Sequence, residues 1–135
     1  MSPKPAYPHL MPLEVPIWER FLAEYGFLFT RLTYDVHVGE GAPISEDATP
    51  GEVRQIQAIT RKRIDVVGET KDELWIIEVK PRAGHAAAGA LLNYRRLYRR
   101  EYHSLKPVRL VVVCERVEWD VPGYYLELKI ATYVV

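Results

Sequence analysis

The chain has 135 residues, of which 48% are hydrophobic and 27% charged, and its formal net charge is zero. This length predicts one domain with a sizeable core, and we find neither a long apolar stretch nor a signal peptide in it. We therefore expect a soluble, cytoplasmic protein. The single cysteine, Cys114, excludes an intrachain disulfide and a zinc site built from thiolates, and its apolar neighbours predict that it is buried.

The charges are unevenly distributed along the chain. Residues 52–109 hold thirteen Lys/Arg and seven Asp/Glu, a net charge of +6, whereas residues 1–51 carry −4 and residues 110–135 carry −2. Binding of phosphate needs a local basic patch and not a basic protein. The distribution is compatible with a nucleic-acid partner, although a solvated helix face has the same composition.

The first elements follow from proline and from apolar spacing. Five prolines among the first 16 residues predict an extended arm, residues 1–13, which either docks on a partner or frays. A helix is predicted from about Pro16 to Gly26, with an apolar stripe of Ile17, Phe21, Leu22 and Tyr25. The acidic residues of this region are candidates for an outer metal ligand, with solvated side chains as the alternative: Glu14, Glu19 and Glu24.

A strand is predicted over residues 27–38, and a loop rich in Gly, Pro, Asp and Ser follows over residues 39–52. This loop is long for a compact domain, so we expect it to be mobile or functional. Residues 53–67 are predicted to form a second strand, or an approach segment and then a strand.

Residues 61–80 are the most informative stretch, and they read RKRIDVVGETKDELWIIEVK. Two apolar runs, 64–67 and 74–79, flank a polar segment, which predicts a β-hairpin with its loop at 68–73. Side chains alternate between the faces of a strand, so Glu78 and Lys80 share one face. If the turn has an even number of residues, Asp65 lies on that face too, opposite or diagonal to Glu78.

Two neighbouring carboxylates repel each other unless a cation lies between them. Hard divalent cations such as Mg²⁺ bind one or two carboxylates and keep waters for substrate phosphates. Lys80, one pleat beyond Glu78, can reach such a water or a phosphate, so the pattern favours a phosphodiester-hydrolysis site. The alternative is a solvated set of cross-strand ion pairs, worth roughly a few tenths of a kcal/mol.

The second half of the chain is predicted as an alternation of helices and strands. Pro81 is expected to end the strand, and a long helix follows over residues 83–102 with Ala87, Ala90, Leu91, Tyr94, Leu97 and Tyr98 facing the sheet. A buried strand at 108–117, a short turn or helix at 120–128 and a last strand at 130–135 complete the chain. The histidines show no ligand spacing and are predicted to be surface or loop residues: His9, His37, His85 and His103.

This order of elements, with the segments RIDVV, WIIEVK and LLNYRRLY, resembles the PD-(D/E)XK nuclease superfamily over residues 14–135. The resemblance implies an α/β restriction endonuclease-like fold. Its core is αβββαβ, with a mixed central sheet flanked by helices.

The resemblance also implies roles for single residues. Asp65 and Glu78 would be metal ligands, Val79 would add its backbone carbonyl, and Lys80 would orient the attacking water. Mg²⁺ or Mn²⁺ would be the cofactor and DNA the substrate, and Glu19 is a further candidate ligand. Many relatives carry a Gln and a Tyr on the next helix; Tyr94 matches the tyrosine, but Ala90 stands in the glutamine position. The candidate DNA-binding residues are Arg61, Arg63, Arg82, Tyr94, Arg95, Arg96 and Arg99.

Two functions remain open. The first is a metal-dependent DNA endo- or exonuclease, which the complete set of Asp65, Glu78 and Lys80 favours. The alternative is a catalytically weak or inactive DNA-binding or assembly protein of phage or mobile-element machinery, which the arm, the zero net charge and Ala90 favour. Cleavage of both DNA strands would usually need a homodimer or a protein partner, for which the N-terminal arm is a candidate contact.

Overall fold

The structure is a computed structural model that describes residues 7–135, a five-stranded sheet with helices on both faces. None of the helices in this part of the chain is long and apolar enough to cross a membrane. The helices are α1 (Val15–Tyr25), α2 (Pro50–Thr60), α3 (His85–Glu101) and α4 (Pro122–Glu127). The strands are β1 (Phe29–Val38), β2 (Lys62–Thr70), β3 (Leu74–Ala83), β4 (Val108–Val117) and β5 (Ile130–Val134).

The strands lie in the order β1-β2-β3-β4-β5. The first three pair antiparallel, and β3, β4 and β5 pair parallel, with α3 as the crossover from β3 to β4. Two apolar cores result because α1 packs on one face through Trp18 and Phe21, whereas α3 and α4 pack on the other through Leu91 and Tyr125. The mixed sheet flanked by helices confirms the predicted fold class.

The strand β4 is the element whose bounds the sequence predicted most accurately. Its predicted range, 108–117, is the observed one, because both of its faces are covered and its apolar run is nearly continuous. Cys114 is fully buried within it, as predicted, and this burial raises the pKa of its thiol to about 11.

Of the two alternatives predicted for residues 53–67, a strand throughout is wrong, because the chain forms α2 before β2 begins at Lys62. Thr49 caps this helix: its hydroxyl accepts from the backbone N–H of Glu52 at 3.2 Å, and the Glu52 carboxylate accepts from the Thr49 N–H at 3.4 Å. Pro50 occupies the first turn. This capping box is present in the sequence as TPGE, and Val53, Ile56 and Ile59 recur at three-residue spacing, but none of these apolar residues is buried in the core.

The register of the hairpin is the one that places Asp65 on the same face as Glu78, as predicted. Thr70 donates its N–H to the carbonyl of Glu73 at 2.9 Å, so the turn consists of Lys71 and Asp72, an even number of residues. The loop is shorter than predicted, because residues 68–70 belong to β2.

The prediction that Pro81 ends β3 is wrong, because the strand continues to Ala83. The last β3 residue paired with β2 is Ile77, so Pro81 lies where β3 has lost its β2 neighbour. Proline is tolerated in such edge positions, where no ladder hydrogen bond is required of it.

Candidate active site

The candidate site lies where β2 and β3 separate. Their pairing stops at Val66 and Ile77, whereas β2 stays paired with β1 as far as Lys62. Beyond this point the side chain of Asp65 takes the place of the missing strand contact, because its Oδ2 accepts a hydrogen bond from the Val79 N–H at 2.9 Å. The hairpin thus opens at Asp65, directly beside Glu78.

A cavity of about 380 Å³ occupies this opening. Asp65 is 4% exposed and Glu78 5% exposed, so both carboxyl groups are largely removed from water. Lys80, half-buried, lies two residues further along β3 and also lines the cavity. The three residues predicted from the hairpin pattern are therefore brought together. The complete lining is His9, Met11, Glu14, Asp65, Glu78, Lys80, Ala86, Ala87, Ala90 and Tyr94.

Three buried acidic side chains line the cavity and determine its electrostatics: Glu14, Asp65 and Glu78. Burial raises the pKa of Glu78, and the neighbouring Asp65 raises it further through its charge and a shared hydrogen bond. The charge of Lys80 opposes this shift, whereas Glu14 adds to it. Burial and the same two carboxylates, Glu78 and Asp65, also raise the pKa of the Tyr94 hydroxyl.

Such a donor set fits a divalent metal ion. A cation between Asp65 and Glu78 would remove the repulsion that otherwise keeps a proton on the pair. The available donors are carboxylate oxygens, which Mg²⁺ and Mn²⁺ prefer. Val79, the third predicted ligand, is fully buried between Glu78 and Lys80, and its N–H is already committed to Asp65.

The segment before α1 contributes two residues to the site: His9, which the sequence did not assign to it, and Glu14, one of the three acids named as candidate outer metal ligands. His9 has a backbone φ of 74°, in the left-handed region, and its Nε2 lies 3.7 Å from Asp65 Oδ1. Glu14 is 9% exposed, and its Oε1 accepts a hydrogen bond from the Met11 N–H at 2.9 Å. His9 was predicted to be a surface or loop residue, and no spacing rule links it to a residue so distant in sequence.

The acid of α1 that was singled out, Glu19, is exposed and does not line the cavity. Glu14, which immediately precedes α1, lies there instead. The part of the arm within the described residues also packs on the domain, since Tyr7 and Leu10 contact the core beneath α1. Residues 1–6 of the predicted arm lie outside the described residues, and the division of the chain at residue 13 stays a prediction.

Helix α3 forms one wall of the cavity with small side chains and one tyrosine. Ala87 and Ala90 line it together with Tyr94, so the position that the sequence resemblance equates with a glutamine offers a methyl group. The nearby amide of Asn93 does not replace the missing glutamine side chain. Its Oδ1 accepts a hydrogen bond from Arg96 at 2.9 Å, and Asn93 does not line the cavity.

The predicted DNA-binding arginines fall into two groups. Arg61 donates to the carbonyls of Gly39 and His37 and pairs with Glu101, and Arg63 forms a two-pronged pair with Asp35 at 2.7 Å. These two guanidinium groups are thus engaged within the fold. The exposed or half-exposed ones are Arg82 on β3 and Arg95, Arg96 and Arg99 on α3.

A second group of metal-ligating side chains lies beside the N-terminus of α3. One ligand atom each of His85, Glu118 and Asp120 lies within 4.8 Å of the others. His85 and Asp120 are exposed, and their closest approach, 3.7 Å, is that of a surface ion pair. This group does not share a residue with the lining of the hairpin cavity.

The strand order, with the hairpin inside the sheet and α1 and α3 on opposite faces, defines a restriction endonuclease-like α/β fold. The structure is similar to a repair endonuclease from Pyrococcus abyssi, with 15% sequence identity and a TM-score of 0.52 over 94% of this chain and 47% of that one. A protein of unknown function is similar at 17% identity and a TM-score of 0.49, over 86% of this chain and 53% of the other. The chain therefore spans about half the length of both proteins. No model of a known protein family matches the chain, and no curated protein does.

Proposed function

We propose that this protein is a metal-dependent nuclease that hydrolyses phosphodiester bonds of DNA. The observation that carries the proposal is the convergence of Asp65, Glu78 and Lys80 on one cavity at the point where the hairpin opens. A buried carboxyl group such as that of Glu78, whose pKa is raised by burial and by a neighbouring carboxylate, is costly in a protein that does not use it. The restriction endonuclease-like fold and its similarity to a repair endonuclease support the same reaction class.

The residues have separate roles in this proposal. Asp65 and Glu78, with the Val79 carbonyl, hold Mg²⁺ or Mn²⁺, and His9 and Glu14 complete the cavity around them. When bound, the metal ion supplies a Lewis acid for the phosphate and lowers the pKa of a water molecule. Lys80 orients the attacking water toward phosphorus, and the half-buried Tyr94 limits the width of the cavity on the α3 side.

DNA would approach over exposed basic residues on β3 and α3. Arg82 and the α3 residues Arg95, Arg96 and Arg99 would contact its phosphates. Arg61 and Arg63, which were predicted to do so as well, are held by Glu101 and Asp35, so their part in the proposal is structural.

Ala90 favours the second candidate function, a catalytically weak or inactive protein that binds DNA or assembles on it. The methyl group of Ala90 lines the cavity where a glutamine would offer a hydrogen bond to substrate or water. A protein of this kind would bind DNA without cleaving it at any metal concentration.

The test is cleavage of supercoiled, linear and single-stranded DNA with Mg²⁺ or Mn²⁺, comparing wild type with Lys80→Ala. Loss of a water-orienting group is expected to slow cleavage by roughly 10²-fold or more. Lys71→Ala is the matched control, because Lys71 is an exposed lysine in the turn at the far end of the same hairpin.

Cleavage by wild type and Lys71→Ala but not by Lys80→Ala would support the proposal. Equal cleavage by all three proteins would disprove the role of Lys80. If none of the folded proteins cleaves DNA, the binding or assembly function is the better one.

A further inference from the structure

Trp119 is 92% exposed, although it stands in a firmly anchored turn after β4. The Val121 N–H donates to the Glu118 carbonyl at 3.1 Å, which closes the turn, and the Glu118 N–H donates to the Ala83 carbonyl at 3.0 Å. Val121 itself is fully buried. The indole is therefore presented to solvent from a fixed backbone and not from a loose loop.

Two arginines flank this indole. Arg82 on β3 and Arg116 on β4 lie opposite each other in the parallel ladder, and both line a cleft of about 360 Å³ with Trp119. Neither guanidinium forms an ion pair within residues 7–135. Glu118 also lines the cleft, but its carboxylate lies within 4.8 Å of an imidazole nitrogen of His85. The cleft, which we call the Trp119 patch (Arg82, Arg116 and Trp119), thus combines an aromatic face with two positive charges and the single negative charge of Glu118.

The patch adjoins the proposed catalytic site. Arg82 follows Lys80 by two residues on the same strand, and a strand rises about 3.3 Å per residue, so their Cα atoms are roughly 7 Å apart. A nucleic acid with a phosphate beside Lys80 would therefore pass over or next to the patch.

We propose that the Trp119 patch binds an unpaired nucleotide of single-stranded DNA next to the cleavage position. Arg82 and Arg116 contact the phosphates, and the indole of Trp119 stacks on the base. A base inside a duplex is stacked on both sides and has no free face, so the patch selects single-stranded DNA over duplex DNA. The choice of DNA as the ligand rests on the proposed function.

Trp and Arg also dominate contacts between proteins, so a protein partner is the competing occupant. The position beside Lys80 favours a polyanion over a protein surface, and so does the excess of two arginines over one acid, Glu118, in the lining of the cleft. Binding of DNA that is unaffected by changes in the patch is the outcome that a protein partner predicts.

The test uses the intrinsic fluorescence of the full chain in EDTA, where no metal-dependent cleavage occurs. Trp18 and Trp75 are buried, so the long-wavelength emission belongs to Trp119. We expect oligothymidylate to quench this emission, and a duplex of the same length to quench it weakly. This readout is independent of whether the protein cleaves DNA.

Affinities for a labelled oligothymidylate then decide the role of the ring. Trp119→Ala is expected to weaken binding by about 5- to 100-fold, which is the loss of one stacked base, and Trp119→Phe to retain most of the affinity. The exposed side chain of Trp119 makes unfolding of these variants unexpected. Phe27→Ala is the matched control, because Phe27 is an exposed aromatic residue before β1, whose start lies at the hairpin-turn end of the sheet.

The proposal is overturned if Trp119→Ala binds the oligonucleotide as wild type does, or if duplex DNA binds as tightly and quenches as strongly. Its failure is distinguishable from failure of the proposed function. A protein that binds through Trp119 without cleaving DNA would leave this inference intact, whereas cleavage with normal binding by Trp119→Ala would leave only the nuclease function.

Discussion

Glu78 carries the largest electrostatic cost among the residues of the candidate site. Its carboxyl group is buried beside Asp65, and its pKa is raised above the ordinary value of 4.5, first by burial and then by that neighbour. The folded protein therefore holds this proton more tightly than the unfolded chain does. By linkage, the free energy of unfolding must decrease as the pH rises above about 4.5 toward the raised pKa.

Glu78→Gln should remove this dependence, because an amide resembles the protonated acid. Without divalent metal at pH 8, we expect the variant to have a higher free energy of unfolding than wild type. The gain should grow by at most about 1.4 kcal/mol for each pH unit above 4.5, and it should vanish near pH 4. Urea unfolding in EDTA measures it, with the exposed Glu127→Gln as control. Parallel pH profiles of wild type and Glu78→Gln would contradict the expectation.

Asp65 has two separable properties, its charge and its hydrogen bond. Asp65→Asn keeps an acceptor for the buried Val79 N–H, whereas Asp65→Ala leaves this group unpaired. We therefore expect Asp65→Ala to be less stable than Asp65→Asn by about 1–3 kcal/mol, and both variants to lose divalent-metal affinity. Denaturant unfolding and calorimetric metal titration measure the two effects. Equal stability of the variants would show that the Val79 contact is unimportant.

At the scale of single residues, the sequence predicted the part of the site that is local. Asp65, Glu78 and Lys80 could be placed because strand alternation and an even turn relate them within one hairpin. Glu14 was named only as one of three candidate acids, and His9 could not be placed, because this segment reaches the cavity through the packing of Tyr7 and Leu10 on the core. No periodicity in the sequence encodes such a contact between distant segments.

Among the elements, α2 is tied to the sheet at its C-terminal end by Arg61. Its Nε donates to the Gly39 carbonyl at 2.7 Å, and its Nη2 donates to the His37 carbonyl at 3.2 Å and pairs with Glu101 of α3. One guanidinium thus joins the end of β1, the end of α2 and the end of α3. Because α2 buries no residue of its own, these contacts replace an apolar interface.

We expect Arg61→Ala to lower the free energy of unfolding by about 2 kcal/mol and to leave the DNA affinity of the folded protein unchanged. Arg82→Ala is the matched comparison, since Arg82 is exposed on β3 beside the site. It should weaken DNA binding without loss of stability. Thermal or urea unfolding and fluorescence anisotropy of labelled DNA measure the two properties. If Arg61→Ala instead weakened DNA binding without loss of stability, Arg61 would belong to the DNA-binding surface.

The elements also differ in how far the sequence reveals them. The strand β4 was predictable because burial on both faces requires an unbroken apolar run. The helix α2 was missed because Val53, Ile56 and Ile59 favour strands, and only the capping box at Thr49 and Glu52 argued otherwise. For α2, the capping box at the start of the helix was thus more informative than the amino-acid composition of the segment.

Across the whole molecule, the candidate site joins segments that are distant in sequence. The turn before α1, the opened hairpin and α3 each contribute residues to one cavity, and α1 and α3 lie on opposite faces of the sheet. These parts come together only in the complete fold. A cation bound to the cavity would therefore stabilise the folded state as a whole.

Mass action sets the size of this effect. At a free metal concentration 100 times the Kd, binding to the folded state alone adds about 2.7 kcal/mol to the free energy of unfolding. We expect Mg²⁺ or Mn²⁺ to raise the Tm of wild type by several degrees, and more strongly at pH 8 than at pH 5, where Glu78 retains its proton. Asp65→Asn should show no such rise, whereas Asp72→Asn, in the exposed turn at the far end of the hairpin, should behave as wild type.

Calorimetric scans measure the shift in Tm. The ionic strength is kept constant, so that a general effect of salt is not mistaken for binding of the divalent metal. An equal rise in Asp65→Asn would place the metal outside the Asp65 and Glu78 pair, for example at the exposed group of His85, Glu118 and Asp120.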